Sequence, residues 1–473
     1  MIILYNYVYC QLLRLLSLFR LQTFLIGAKI SLVMLVPVLV AAVTALAMIL
    51  SVLFKPYLSF GKIKVGLYVI ICFLGAIAEL FFGGLSVGDA VDGIIANSAV
   101  NPLKILALFL SMTLISVYLG DSGFFHLVAE KVFACGKGKR AELRLFIILY
   151  AVVSLLTVFT SNDIVILTFT PIICIFCKKA GFNPLPFLIG EFVAANTWSI
   201  TLIVGNPTNI YLAQSAGVSF YEYFKIMILP AAVAGISALL VLLLIFRKSL
   251  LAKNAISGEI SDGFRAVPVK INAPAMIAAL VALIACIAAL ALSDIIGVEM
   301  WLIAVGFAAA LFVFNLVYGI IRGEGVLRAA SGVKKSPWEL VPFVLSMFVI
   351  VLALAKSGAL TKLSSLLISG EKSDGLTFGF LTAGLSNLLN NIPASVVMEK
   401  IVAGKSLAAT FGAVIGTNIG AFITPVGALA GIMWNKILSG YGVKLPFYKF
   451  ALYGILVAFV SLTLSLLTLY AIL

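Results

Sequence analysis

Apolar residues run along this chain in long blocks. Mostly apolar stretches of roughly 17–25 residues recur over its whole length, which is what an α-helix needs to cross about 30 Å of hydrocarbon. They predict membrane spans near 31–54, 66–85, 102–119, 186–216, 225–247, 272–292, 300–317, 338–356, 406–438 and 449–472. Two further blocks are built differently. Residues 145–177 hold two apolar arms around Ser161-Asn162-Asp163, with Arg144 at one end and Lys178 and Lys179 at the other. Each arm is only about 14–16 residues, short for a span. Residues 376–403 show the same shape around Asn390-Asn391-Ile392-Pro393. Both blocks predict hairpins that enter the membrane and turn back at depth; two ordinary helices joined by a buried polar turn are the alternative. A polar tip at that depth needs protein or water to satisfy its backbone, so the tips are expected to line a cavity.

The pattern then repeats. Asp121-Ser122-Gly123 and an amphipathic stretch to Gly136 match Lys356-Ser357-Gly358 and a stretch to Gly370. The tip Asn162-Asp163-Ile164 matches Asn390-Asn391-Ile392. Asn196 lies nine residues before Gly205, and Asn418 lies nine before Gly427. The first unit opens on a span running inward and the second on one running outward, an inverted-topology repeat common in transporters. The boundaries drawn are 1–30 as an interfacial or extra helix, 31–100 as scaffold helices, and 101–247 as the first repeat. A loop at 248–271 and linking helices at 272–335 precede the second repeat, 336–473.

Within each repeat one long span is interrupted. Pro207 has no N–H and pushes the preceding residue out of the helical region. With Gly205 beside it, the helix should unwind near 204–209; Pro425 and Gly427 do the same within 406–438. Half-helix N-termini attract anionic groups, and unwound carbonyls coordinate cations. The candidate substrate- and ion-binding residues are therefore those at tips and breaks. In the first repeat they are Ser161, Asn162, Asp163, Asn196, Thr197, Gly205, Asn206, Pro207, Thr208 and Asn209. In the second they are Asn390, Asn391, Thr417, Asn418, Thr424, Pro425 and Gly427, with Ser386 nearby. Most are neutral and offer both donors and acceptors. Asp163 is the one carboxylate at a tip, and a charge there costs roughly 2.5–3.5 kcal/mol on insertion scales, which marks it as functional. It is the first candidate for coupling to H⁺ or Na⁺; capping the following helix arm is its competing role. Glu191 is the second candidate, as a proton relay. Glu79 reads as interfacial, and Asp89 and Asp92 as solvated.

Composition fixes the class. Of 473 residues, 63% are hydrophobic and 11% charged, against about 25% charged in ordinary soluble domains. The net charge of +14 would suggest nucleic acid in a soluble protein. Here the Lys and Arg residues cluster in alternate loops, at 55–64, 131–144, 247–270 and 322–335, while 86–101, 217–224 and 293–299 contain none. That asymmetry places the basic loops in the cytoplasm and the C-terminus outside. Nucleic acid is not an expected partner. The six cysteines are scattered and read as small buried residues. Cys174 and Cys177 share a helix face, where packing outweighs metalloid binding. With His126 as the single histidine, and no nucleophile beside a base, neither a His-based metal site nor a catalytic triad is expected, and no enzyme, metal or cofactor is expected.

Several of these stretches carry a resemblance. They are Asp121-Ser122-Gly123-Phe124-Phe125, Asn162-Asp163, Leu202 to Ile210, Ser336-Pro337-Trp338, Gly379 to Ala383, Asn390 to Pro393, and Ile415 to Gly427. Together they resemble the arsenical pump membrane protein family, within the superfamily that also holds sodium/proton antiporters and citrate or dicarboxylate carriers. The resemblance implies efflux of arsenite and antimonite, driven by the proton gradient or helped by a cytoplasmic ATPase subunit, with alternating access. This chain carries Asn196 and Asn418 where arsenical pumps can carry Asp, and Phe422 where a Lys is often found, so its site has less fixed charge. A Na⁺/H⁺ antiporter and a Na⁺-coupled dicarboxylate or anion transporter remain as alternatives. The expectation is an all-α polytopic protein of the inner or plasma membrane, with about ten transmembrane helices, two re-entrant hairpins and two broken helices. Its expected partners are the bilayer, a small inorganic or organic ion, a second copy of the chain and an ATPase subunit.

Overall fold

The computed structural model describes residues 32–55, 57–60, 63–95, 101–136, 140–251, 271–367, 370–371 and 373–473. The expected helix at 1–30 and most of the loop 248–271 lie outside the described residues. The chain divides into two compact units. One comprises Met1–Ala96 with Glu339–Ile368, the other Asn97–Trp338 with Ser369–Leu473.

The first unit holds α1 (Leu32–Phe54), α2 (Leu67–Phe82), α3 (Val87–Ile95), α14 (Leu340–Lys356) and α15 (Ala359–Leu366), and a two-stranded antiparallel hairpin, β1 (Tyr57–Phe60) and β2 (Ile63–Gly66), connects α1 to α2. That hairpin departs from a purely helical expectation. Helix α14 packs on α1, α2 and α3. Two charged residues differ from their expected settings. Glu79 is fully buried within the protein, and both its carboxylate oxygens lack a hydrogen-bond partner among the described residues. Asp89 is exposed but not merely solvated. Its Oδ2 accepts from Lys356 Nζ and from the Ser86 hydroxyl and N–H, while its own N–H donates to Ser86 Oγ, which together form a capping box. Lys356 first and Ser86 second hold the Asp89 carboxyl down at about 2, against an ordinary value of about 3.9. A depressed carboxyl contributes fully above its unfolded value, so this clasp should hold above about pH 4 and fail as the pH falls towards 2. Lys356→Ala should return the Asp89 titration towards the ordinary range, read by carbon-13 NMR of the side chain.

The second unit begins with α4 (Pro102–Asp121), which packs on α11 (Ala273–Ala291), α12 (Met300–Ile321) and α13 (Leu327–Lys335). The amphipathic α5 (Phe124–Ala134) follows. Then come the pair α6 (Ala141–Phe159) and α7 (Asn162–Ala180), the interrupted α8 (Pro184–Trp198) and α9 (Pro207–Ser215), and the long α10 (Phe220–Leu250). After α15 the same succession recurs as α16 (Asp374–Leu389) and α17 (Asn391–Val402), α18 (Leu407–Gly420) and α19 (Leu429–Gly440), and α20 (Phe447–Ile472). Starts are set by local chemistry. Asn101, Asn183 and Asn206 each cap a helix that has Pro at its first position, and Ser219 and Ser406 cap α10 and α18. Packing repeats as well. Helix α8 lies against α6, α7 and α10, and α18 lies against α16, α17 and α20.

The first hairpin is longer than its sequence suggests. α6 and α7 have 19 residues each, about 28 Å at 1.5 Å per residue, and α6 is one of eight helices among the described residues long and apolar enough to cross a membrane. The boundaries at 145 and 177 followed the charged residues, yet Glu142 lies buried in the first turn and Lys178 and Lys179 end the last. In the second hairpin the arms are 16 and 12 residues, and α17 spans only about 18 Å.

Candidate functional site

Hairpin tips and helix breaks come together inside the second unit. Helix α7 packs on α19, the half-helix after the other repeat's break, and α17 packs reciprocally on α9. The two breaks share one construction. A Cβ on Gly205 would lie 2.3 Å from the Ser199 carbonyl, and one on Gly427 would lie 2.9 Å from the Ala421 carbonyl, in each case six residues earlier. Only glycine lets the unwound chain pass its own helix end so closely.

A closed network of neutral side chains then ties the breaks together. Asn209 Nδ2 donates to the carbonyls of Ser199 (2.8 Å) and Leu202 (3.1 Å). That turns its Oδ1 towards Asn418, whose Nδ2 donates to it at 2.7 Å and to Val414 O at 2.8 Å. Asn418 Oδ1 in turn accepts from Ser199 Oγ and Asn206 Nδ2, both at 2.9 Å. Asn206 Oδ1 caps α9 at Thr208 N, and the Thr417 hydroxyl meets that of Thr208 at 3.2 Å. Every amide orientation follows from its neighbour, and all six residues are buried. Asn418→Ala would leave Asn209 Oδ1 and Asn206 Nδ2 without this partner, at about 1–3 kcal/mol for each stranded group. It should lower the melting temperature clearly, and thermal unfolding of the purified protein measures this.

The tips are different. Asn162 Nδ2 donates to Asn196 Oδ1 at 3.2 Å, but Asn162 Oδ1 and Ser161 Oγ are buried with no partner among the described residues. Asn390 takes φ 77° and ψ 154°, a strained conformation for a residue with a side chain, and such strain clusters at ligand sites. It is held there by Asn390 Nδ2 donating to Val426 O (3.1 Å) and Asn391 N donating to Gly427 O (2.9 Å). Asn390 Oδ1 is unpartnered. Asp163 is not a cap. Ser161 occupies the N-cap position, Asp163 lies in the first turn of α7, half-buried, and its carboxylate makes no hydrogen bond or ion pair among the described residues.

The remaining candidates spread outward. Thr197 bonds back to its own helix at Val193 O (2.9 Å), and Thr424 Oγ1 donates to Asn387 Oδ1 (2.7 Å). Ser386 bonds back to Thr382 O. Pro207 starts α9, and Pro425 lies in the second break. Glu191 is buried midway along α8, away from the tips, against Thr170 of α7. Cys174 and Cys177 are buried free thiols on α7.

Residues 60–412 match the family model described as citrate transporter. The chain belongs to this family. An arsenical pump membrane protein of Escherichia coli is 32% identical over 389 residues, covering 77% of this chain and 84% of that protein. An uncharacterized transporter of Mycobacterium tuberculosis is 29% identical over 384 residues, covering 76% and 84%. The structure of the YdaH transporter of Alcanivorax borkumensis, described as having an unusual topology, matches the fold with a TM-score of 0.57 at 14% identity, over 92% of this chain and 98% of that one. The relationship to arsenical pump membrane proteins expected from the motifs is thus shown, and the protein is a multi-pass membrane transporter.

Sequence reasoning missed several parts of this transporter's centre. Ser199 and Asn387 join the networks, and each stands three residues from an Asn that was singled out. Tyr223 of α10 donates to the Ile200 carbonyl at 2.9 Å, satisfying a group the break exposes. Thr201 in the first break has a buried, unpartnered hydroxyl. A polar residue one helical turn from a singled-out Asn was the available signal for Ser199 and Asn387.

Proposed function

We propose that this transporter is a secondary active ion carrier of the arsenical-pump type, coupled to H⁺ or Na⁺ and working by alternating access. The supporting observation is that the amide network tying the two breaks together lies with tips whose Ser161 Oγ, Asn162 Oδ1 and Asn390 Oδ1 are buried without a partner among the described residues. Buried polar atoms without partners are rare in folded proteins and call for a ligand or ion. In this reading the first hairpin enters from the cytoplasm and the second from outside, in two oppositely oriented repeats, with the C-terminus outside. The tip residues bind substrate, and Asp163 binds the coupling ion. Helices α7, α9, α17 and α19 all start at tips or breaks, and their positive ends favour an electron-rich or anionic group.

Arsenite is neutral near physiological pH and suits hydrogen bonding by Asn and Ser. The family description, citrate transporter, supports a carboxylate as the second reading, and a carboxylate would need cations bound beside it. A second copy of the chain and a cytoplasmic ATPase subunit are the partners of the first reading. Purified protein in liposomes distinguishes the two. Arsenite, antimonite, citrate and succinate are added in turn while counterflow and internal pH are followed, with and without Na⁺. Arsenite counterflow with proton movement is expected. Counterflow with none of the four, or proton movement on adding Na⁺ alone, would sink the proposal.

A further inference from the structure

At the end of α12 positive charge gathers beside apolar surface. α12 is long and apolar enough to cross a membrane, and Leu302, Val313, Val317 and Ile320 form an exposed stripe along it. In a transporter such a stripe faces hydrocarbon. It runs directly into Arg322, which caps the helix.

Tyr318, in the last turn of α12, holds two guanidinium groups at its ring. Arg322 Cζ lies 5.5 Å and Arg328 Cζ 5.1 Å from the centroid. The Tyr318 hydroxyl is tied to Asn272 Oδ1 at 3.3 Å. Arg328 is anchored, because its Nε donates to Asn315 Oδ1 (3.2 Å) and its Nη1 to Glu324 Oε2 (3.0 Å). Arg322 is exposed and has no carboxylate partner among the described residues. Each cation–π contact is favourable. Two like charges at one ring repel, however, and Glu324 offsets only one of them. The pair is a place for an anion.

α13 continues the patch. Its inner face is buried through Ala329, Gly332 and Ser336. The Tyr118 hydroxyl of α4 donates to Ala329 O at 2.7 Å, and a Cβ on Gly332 would lie 2.3 Å from the Tyr118 ring. One flank is occupied as well, since Ser331 and Lys335 donate to Asp121. Leu327 and Lys334, seven residues apart on the outer face, are exposed, as is Trp338. Trp338 Nε1 donates to Val333 O at 2.6 Å, which fixes the indole beside these cations. Tryptophan and basic residues at the end of an apolar span mark the level of lipid headgroups.

We infer that this corner binds an anionic phospholipid, with its phosphate at Arg322 and Arg328 and its acyl chains along the α12 stripe. Guanidinium groups suit a phosphate, whose oxygens accept several hydrogen bonds at once. Lys334 adds to the attraction from α13. A free anion would leave Leu327 and Trp338 uncovered, and a protein in the aqueous phase could not reach the stripe; a lipid covers both. The inference is independent of which ion is transported.

Two measurements on the full-length protein test it. In the first, purified protein is offered equal amounts of phosphatidylglycerol and phosphatidylcholine with the same acyl chains, and retained lipid is read by native mass spectrometry. Wild type should retain mainly phosphatidylglycerol. Arg322→Gln should lower that retention roughly fivefold, with an unchanged melting temperature in lipid-free detergent. Arg322→Lys should restore part of it, and Lys449→Gln, an exposed site at the start of α20, should leave it as in wild type. Equal retention of the two lipids by wild type, or unaltered phosphatidylglycerol in Arg322→Gln, would overturn the inference. In the second, a photoreactive benzophenone side chain replaces Leu327 in native membranes. Illumination should yield an adduct with the mass of an anionic phospholipid. An adduct with a protein would assign the corner to a protein partner and overturn the inference too.

Discussion

Gly416→Val should give little or no folded protein. Helix α18 presents Gly412, Gly416 and Gly420 at four-residue spacing, and α16 meets them with Gly375, Gly379 and Ala383. A Cβ on Gly412 or Gly416 would lie 2.3 Å from the carbonyl oxygen of Gly375 or Gly379, and one on Gly420 would lie 2.7 Å from Ala383 Cα. These are backbone atoms and cannot rotate away. Small residues at such crossings are the main way membrane helices gain close packing. Overpacking usually costs about 1–3 kcal/mol; a change that must push a pair of backbones apart should exceed that range and consume much of a typical stability of about 5–15 kcal/mol. It would also displace the second hairpin from the break that holds it. Gly384→Val on α16 is the control, because a Cβ there meets nothing within 4 Å. Size-exclusion profiles and melting temperatures of both variants measure the difference.

Asp163→Asn should abolish ion-coupled transport and leave the protein at least as stable as wild type. The carboxylate has no hydrogen bond or ion pair to lose among the described residues. In the proposed arrangement, removing this charge relieves a penalty of roughly 2.5–3.5 kcal/mol on insertion scales. A group that lowers stability and makes no internal bond is retained for what it binds. Melting temperature and substrate-driven ion movement should therefore respond in different ways. Wild-type coupling in this variant would remove Asp163 from the mechanism, and a large loss of stability would show that it has a structural role.

Much of this arrangement could be read from local chemistry. Asn162 and Asn390 stood out as polar tokens within apolar arms, and Gly205-Asn206-Pro207 and Pro425-Val426-Gly427 marked the breaks, because backbone rules act over a few residues. The bond from Asn418 to Asn209 could not be read that way. It joins residues more than two hundred apart and depends on how the repeats pack. The length of α6 was misjudged because Glu142 and Arg144 looked like loop residues, whereas burial of Glu142 extends the helix. The recurrence of the α4 contacts with α11, α12 and α13 in the contacts of α14 with α1, α2 and α3 left no polar marks to find. The stripe Gly412, Gly416 and Gly420 of α18 was not singled out in the sequence, and its partner on α16 shows why it is there.

The central claim is that the two tips and two breaks enclose one site that opens to each face in turn. Ser161→Cys, introduced with the native cysteines replaced by serine or alanine, tests it when sealed vesicles of each orientation are treated with a membrane-impermeant thiol reagent. The expected result is labelling from both faces, slowed by the transported ion. Labelling from one face only, at a rate indifferent to that ion while the same vesicles transport it, would contradict the claim.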